Sequence, residues 1–373
     1  MRILRVAQKV YPDVPGGGPY HVHAMSRDQA AMGHDVTVLT VAADDKPRRE
    51  ERDGYTLVRR SPTAELLGNE MSAGVGRFLA RTDDYDVVHA HSHLYFSTNL
   101  AAVKRRLGDT PLAITNHGLY SQNAPEWLFD AYLRTVGRWT FDAADVVFCY
   151  TGEDRARVRE FGVKTDIEVV ANGIDQTRFT PEGPGHDGIA ADGPVVLFVG
   201  RLVDGKRPAD AIEAFAGVRD DHPDAELYLC GDGPLRNDLR TRATALGVAD
   251  AVTFLGHLSY DEMPTVYRSA DVLVLPSRAE GLPRTVLESL ASATPAVTSD
   301  LEQVAPVVEG AGKTFPVGDV SAFADALDAL LSDPELARAL GEAGRESVDR
   351  RFTWDRTVEE TTDAMVRLAN LKD

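Results

Sequence analysis

Along this chain the apolar positions gather into short unbroken runs, and the stretches between them carry helical spacing. ILRVA at 3–7 is the first run, followed by a glycine loop and a helical pattern from Tyr20 to Met32. Gly33 stands where a helix C-terminal glycine belongs, and VTVLTV at 36–41 resumes as a strand. DVVHAH (86–91), LAIT (112–115), DVVFCY (145–150) and IEVVA (167–171) continue the series. Strands that are apolar on both faces and joined by helices predict a parallel sheet covered on both sides.

Residues 181–194 break the pattern with proline, glycine and few apolar positions, and read as a linker. The alternation then restarts with VVLFVG (195–200), a helix near 208–219, LYLCG (227–231) and a helix near 234–246. It continues through VTFLG (252–256), DVLVLP (271–276), a helix near 283–293 and PAVTS (295–299). The expected fold class is therefore α/β, with two Rossmann-like doubly wound domains. Residues 1–180 form the first, 195–351 the second, and 352–373 a C-terminal helix. Open sheets of this kind bind ligands beyond the carboxyl ends of their strands, so a deep cleft between the two domains is expected.

Composition narrows the function. The chain has 373 residues, and its net charge of −18 arises from 58 acidic against 40 basic side chains. Seven of the basic residues are lysine, a balance expected of a surface adapted to high salt or of a genome that favours arginine. Such a chain is a poor wrapper of nucleic acid, which needs clustered cations. Residues 1–180 are nearly neutral, with 22 basic and 24 acidic side chains, so the charge sits in the second half. Cys149 and Cys230 lie in apolar runs and predict neither a disulfide nor a cysteine zinc site. No run approaches a membrane span and no signal-peptide core is visible, so the expected location is cytoplasmic.

Three segments carry candidate chemistry. Gly16-Gly17-Gly18 precedes a helix, where backbone N–H groups can approach an anion, although His21 breaks the GxGxxG fingerprint. VGRLVDGKR (199–207) is a near miss to a P-loop, with Arg207 at the magnesium-binding Ser/Thr position. What it keeps is a strand end delivering Arg201 and Lys206 toward one point, a pairing that suits a diphosphate. The third runs from Pro276 to Glu288 and places Glu280 and Glu288 eight positions apart. Pro283 suits a first helical turn, which leaves N–H groups near Gly281 and Leu282 open to a ligand. His89, His91 and His93 alternate onto one face of a strand, but no further ligand joins them at metal spacing.

Together these segments resemble the retaining glycosyltransferases of family 4. The resemblance rests on GRL…K, Gly231-Asp232-Gly233-Pro234, FLG (254–256) and the two glutamates. In the first half it rests on YPDVPGGGPYHVHAMSRDQAAMGHDVTVLT, DVVHAHS, His117 and ANGID…F (171–179). It covers nearly the whole chain. It implies the GT-B fold, an acceptor-binding first domain, a nucleotide-sugar-binding second domain, and a last helix (352–368) that crosses back to the first. Carried over by position, Arg201 and Lys206 would hold the donor diphosphate, Glu288 the ribose and Glu280 the transferred sugar. His117 would contact that sugar, Gly16 and Gly17 would close over the phosphates, and His257 and Leu258 would border the base. The resemblance implies no metal and no cofactor beyond the nucleoside-diphosphate sugar itself. The family usually has glycine directly after the lysine, where this chain has Arg207.

The reading is thus a metal-independent, configuration-retaining transferase; the rivals are a nucleotide-sugar epimerase of the same fold and a non-catalytic nucleotide-sugar binder. The expected acceptor is a lipid-linked saccharide or glycolipid, with a soluble sugar or sugar phosphate as the alternative. Segment 119–141 holds two of the three tryptophans, and Leu128, Tyr132 and Trp139 fall near helical spacing. With KPRREERDGYTLVRR (46–60) and KRR (104–106) this points to peripheral membrane contact through the first domain.

Overall fold

The structure, a computed structural model, describes residues 1–14, 16–42, 45–66, 68–119 and 126–371. The chain divides into two compact units, residues 1–171 with 356–373, and residues 172–355. The glycine- and proline-rich stretch at 181–194 lies within the second unit. Arg268 Nε donates to the Pro184 carbonyl (2.8 Å) and the His186 N–H to Ser269 Oγ (2.8 Å).

In the first unit the strands are β1 (Arg2–Val6), β2 (Asp35–Val41), β3 (Arg49–Arg52), β4 (Tyr55–Arg60), β5 (Ala64–Leu66) and β6 (Asn69–Met71). β7 (Val87–His91), β8 (Leu112–Thr115), β9 (Val146–Cys149) and β10 (Asp166–Val169) complete them. Eight form one sheet in the order β10-β9-β8-β7-β1-β2-β4-β3, parallel except for the β3–β4 hairpin. That hairpin turns on Asp53 and Gly54, both at positive φ, as a two-residue Asp-Gly turn prefers. The hydrophobic pattern misses β3 because REER is charged and half exposed.

Leu4, Val6, Val88, Ile114 and Val147 pack on one face of this sheet, and Ile3, Val36, Val38, Leu57 and Phe148 on the other. The second face also takes Val22 of the helix Gly17–Ala31, together with Ala364 and Met365 of the last helix, Trp354–Asn370. Polar contacts that hold that last helix include Gln29 Nε2 to Thr362 Oγ1 (2.8 Å), Thr357 Oγ1 to the Ala171 carbonyl (2.7 Å), and Arg367 Nη2 to both oxygens of Glu168 (2.8 Å each).

The second unit has β11 (Val195–Val199), β12 (Glu226–Cys230), β13 (Val252–Gly256), β14 (Val272–Leu275), β15 (Ala296–Ser299) and β16 (Gly312–Phe315). Their order is β13-β12-β11-β14-β15-β16 and every pairing is parallel. The strand order reverses between β11 and β14, and in the first unit between β1 and β7. Such switch points leave a crevice beyond the strands' carboxyl ends.

Candidate functional site

In the second unit the two strands flanking the switch point deliver the predicted charges. The chain leaving β11 at Gly200–Leu202 is clasped by Gly231-Asp232-Gly233. The Gly200 N–H donates to the Cys230 carbonyl (3.0 Å) and the Leu202 N–H to the Asp232 carbonyl (3.0 Å). A Cβ on Gly231 would lie 2.0 Å from the Gly200 oxygen, and one on Gly233 2.4 Å from the Leu202 oxygen, so both positions require glycine. The Arg278 N–H, beyond β14, then donates to the Gly205 carbonyl (2.9 Å) and joins the two loops. This contact sets Lys206 Nζ in an ion pair with Glu280, whose side chain is almost fully buried. Arg201 is exposed at the end of β11.

Arg207 sits at φ 50°, ψ 46°, the left-handed conformation that glycine adopts without strain, which explains physically why glycine suits this position. Its guanidinium is held by Asp210 (2.6 Å), so the extra cation has a local counter-charge.

Pro283 is the N-cap of the helix Arg284–Ala291, one residue outside the turn it was expected to open. Gly281, Leu282 and Glu288 are buried. Both oxygens of Glu288 are taken: Tyr260 Oη donates to one (3.0 Å), Tyr267 Oη to the other (2.9 Å), and Arg284 Nε lies 3.5 Å away. Burial raises the Glu288 carboxyl above the usual range, opposed by the Arg284 charge and the two tyrosines. Arg284 also reaches Asn172 Oδ1 (3.2 Å), the Gly173 carbonyl (3.1 Å) and Tyr260 Oη (2.9 Å). Tyr260, Tyr267 and Arg284 were not singled out from the sequence, because their role depends on converging around one carboxylate. His257 is exposed and Leu258 half buried, beyond β13 at the sheet edge, three and two residues before Tyr260.

In the first unit, the helix Gly17–Ala31 begins at Gly16, whose φ of 131° favours glycine. The Gly18 position faces His117, since a Cβ there would meet His117 Nδ1 at 3.9 Å. The carboxyl ends of β7, β8 and β9 converge on the same ring. His117 Nδ1 pairs with Tyr150 Oη (2.8 Å) and its Nε2 with His91 Nδ1 (3.0 Å), while the His21 ring stands edge-on at 5.3 Å. Burial pushes His117 down to about 4, so the ring is neutral at physiological pH and is held by hydrogen bonds rather than by a charge. The expectation that His89, His91 and His93 share one face is corrected. β7 ends at His91 and Ser92 takes φ 63°, which turns the chain. The His89 and His91 rings lie tilted against each other at 4.4 Å, whereas His93 packs against Phe141 at 4.7 Å.

The aromatic segment divides as well. Phe129 and Phe141 are core residues, while Trp127 (73% exposed), Leu128, Val136 and Trp139 face outward; residues 120–125 lie outside the described residues. The KRR cluster is not an open basic patch. Lys104 Nζ donates to the Leu79 (3.0 Å) and Thr82 (2.6 Å) carbonyls, and Arg105 is forked onto Asp145 (2.7 and 2.8 Å).

Two doubly wound α/β units, the last helix packed on the first, and opposite charges at a switch point define a protein of GT-B type. Residues 15–178 match the family described as Glycosyltransferase Family 4, and residues 182–347 the one described as Glycosyl transferases group 1. Glycogen synthase of Mycobacterium tuberculosis is 31% identical over 402 residues, covering 99% of this chain and 95% of its own. A GDP-mannose-dependent α-(1-6)-phosphatidylinositol monomannoside mannosyltransferase of the same organism is 29% identical, with 95% of each chain covered. Among solved structures, Anabaena Alr3699/HepE in complex with UDP and glucose superposes with a TM-score of 0.83 at 19% identity, over 98% of this chain and 100% of that one. The chain belongs to glycosyltransferase family 4. Among the described residues no helix is long and apolar enough to cross a membrane.

Proposed function

We propose that the protein transfers a sugar from a nucleoside-diphosphate sugar to a hydroxyl acceptor with retention of configuration and without a metal ion. The observation that carries this reading is the Lys206–Glu280 pair at the switch point of the second unit, in the loop that also carries Arg201 at the end of β11. Lys206 and Arg201 supply the positive charge that a departing diphosphate needs, and Glu280 accepts hydrogen bonds from hydroxyls of the transferred sugar. Relatives that use GDP-mannose, and a fold neighbour solved with UDP and glucose, support a nucleotide-sugar donor of either base.

In the proposed reaction the bond from the anomeric carbon to the diphosphate oxygen breaks, and the acceptor oxygen bonds to that carbon on the same face. The acceptor proton passes to the leaving phosphate oxygen. A double displacement would need a carboxylate free to attack the anomeric carbon, and Glu280 is held in its ion pair with Lys206. Glu288, the other carboxylate of this segment, is engaged by Tyr260, Tyr267 and Arg284. Its role in this reading is to hold the ribose, exchanging a tyrosine hydroxyl for a ribose hydroxyl. In the first unit, His117 and the backbone at Gly16 and Gly17 form a neutral hydrogen-bonding face of their own, where a His117 bond to a ligand would replace the one to Tyr150 or to His91.

The acceptor is assigned as lipid-linked, with the protein peripheral on a membrane. The exposed Trp127, Leu128, Val136 and Trp139 support this, as does the relative that acts on a phosphatidylinositol mannoside. The decisive test titrates UDP-, GDP- and ADP-sugars and measures donor hydrolysis with and without EDTA. Binding of none of them, or strict dependence on a divalent ion, refutes the mechanism. Transfer to a water-soluble sugar, with no association with anionic liposomes, refutes the lipid assignment.

A further inference from the structure

Within the first unit, five arginines (Arg48, Arg59, Arg60, Arg77 and Arg81) line one open cavity of about 630 Å³. It lies where β4 ends at Arg60, on the carboxyl edge of the sheet, the edge where open α/β sheets take ligands. In volume it falls in the usual range for small-molecule sites. Among the described residues none that lines it is acidic, in a chain with a net charge of −18.

The arginines do different work. Arg59 is structural: it is buried, with Nε on Asp13 (2.7 Å) and Nη1 on Glu50 (3.0 Å). Arg60 is held in place without a carboxylate. Its stem runs past Gly74, where a Cβ would stand 3.0 Å from Arg60 Cδ. Its head lies 5.3 Å from the centre of the Phe78 ring and donates to the Arg59 carbonyl (2.8 Å). Burial, and then the charge of Arg48, push the Arg60 guanidinium below its ordinary value. Arg77 and Arg81 are exposed, the first on the last turn of the helix Ala73–Leu79 and the second just beyond its C-cap, Ala80. The charge of Arg48 thus disfavours that of Arg60, and an anion entering the cavity offsets it.

We propose that this arginine cavity is an acceptor subsite for a phosphate group, a monoester or diester gripped by Arg60 with Arg48, Arg77 and Arg81 around it. Guanidinium groups suit this ligand because their forked donors match two phosphate oxygens at once. The proposal rests on the transferase reading for the word acceptor; the anion site itself does not. The phosphate belongs either to a soluble sugar phosphate or to a lipid headgroup, and the chemistry at the cavity is the same.

The test uses the full chain in four forms: wild type, Arg77→Glu/Arg81→Glu, Arg77→Lys/Arg81→Lys, and Lys206→Gln, whose change lies in the donor site. One arm titrates glucose 6-phosphate calorimetrically; the other sediments the protein with phosphatidylglycerol–phosphatidylcholine vesicles, against phosphatidylcholine alone. At least one arm should bind wild type, and the double glutamate variant should weaken that binding by about tenfold or more. The lysine variant should retain most of it and Lys206→Gln all of it. Glucose 6-phosphate binding identifies a soluble source, vesicle binding a lipid one. No binding in either arm, or binding unchanged by the glutamates, overturns the proposal. Circular dichroism reports folding in all four forms, and UDP and GDP binding, which of the variants only Lys206→Gln should weaken, keeps the two readings apart. If wild type binds neither nucleotide, the transferase reading fails, while the glutamate effect still decides the cavity.

Discussion

Lys206→Gln should weaken nucleotide binding and Glu280→Gln should not, although each removes one half of the same ion pair. The Glu280 side chain is 4% exposed and that of Lys206 16%, so the pair is only partly screened by water. At an effective dielectric near 20, unit charges ~4 Å apart attract by about 4 kcal/mol, most of it cancelled by desolvation of the two groups. An incoming diphosphate must compete with Glu280 for the ammonium and also meets the carboxylate's repulsion. Neutralising Glu280 removes both, so UDP or GDP should bind Glu280→Gln as tightly as wild type or up to roughly tenfold more tightly, a gain of up to ~1.4 kcal/mol. Lys206→Gln loses a charge-assisted contact worth roughly 1.5–3 kcal/mol, so its Kd should rise at least about tenfold. It also strands a buried carboxylate, at a stability cost of roughly 3–5 kcal/mol. Calorimetric titration of the bare nucleotides measures binding, and donor turnover measures catalysis. Glu280→Gln should lose at least about tenfold in kcat despite its intact nucleotide affinity, because it touches the sugar. If it weakens nucleotide binding as much as Lys206→Gln does, the competition argument is wrong and Glu280 belongs to the nucleotide site.

Other perturbations test the remaining assignments. Arg201→Ala should reduce kcat/KM for the donor at least about tenfold, read by steady-state kinetics. Glu288→Gln should weaken bare nucleotide binding while leaving Tm at neutral pH unchanged or higher. A carboxyl whose folded pKa is raised binds more protons folded than unfolded, so its ionisation destabilises the fold as pH climbs through that value. Acid should destabilise the first unit through its buried histidines. His117 and His93 are depressed to about 4 and about 3, so below about pH 6.5 the unfolded chain takes up protons that the folded one refuses. Stability is complete above that pH and falls toward pH 4, by up to ~1.4 kcal/mol per unit for each ring; His93→Phe should flatten the Tm–pH profile by about one proton. Trp127→Ala should leave Tm unchanged, because the ring is 73% exposed, but lower liposome binding if the lipid assignment holds.

The sequence by itself determined the periodic elements and their class. Runs such as VVLFV and VLVL are apolar on every position, and only a sheet buried on both faces accommodates that. Spacing was also enough to nominate Gly16, Arg201, Lys206, Glu280 and Glu288, because glycine loops and charges at strand ends follow local chemical rules. Strand order was not legible, and the meeting of Lys206 with Glu280 depends on it: 74 residues separate them, and only the adjacency of β11 and β14 brings their loops together. The engagement of Glu288 by Tyr260, Tyr267 and Arg284 is likewise a property of three elements converging on one carboxylate. The arginine cavity shows the same limit. KPRREERDGYTLVRR reads as one basic stretch, yet folding spends Arg52 and Arg59 on Asp13 and Glu50 while Arg60 lines a cavity with Arg77 and Arg81. Charge along the chain is set by composition; which charges are neutralised and which are left facing a ligand is decided by packing, because desolvation and pairing act through space.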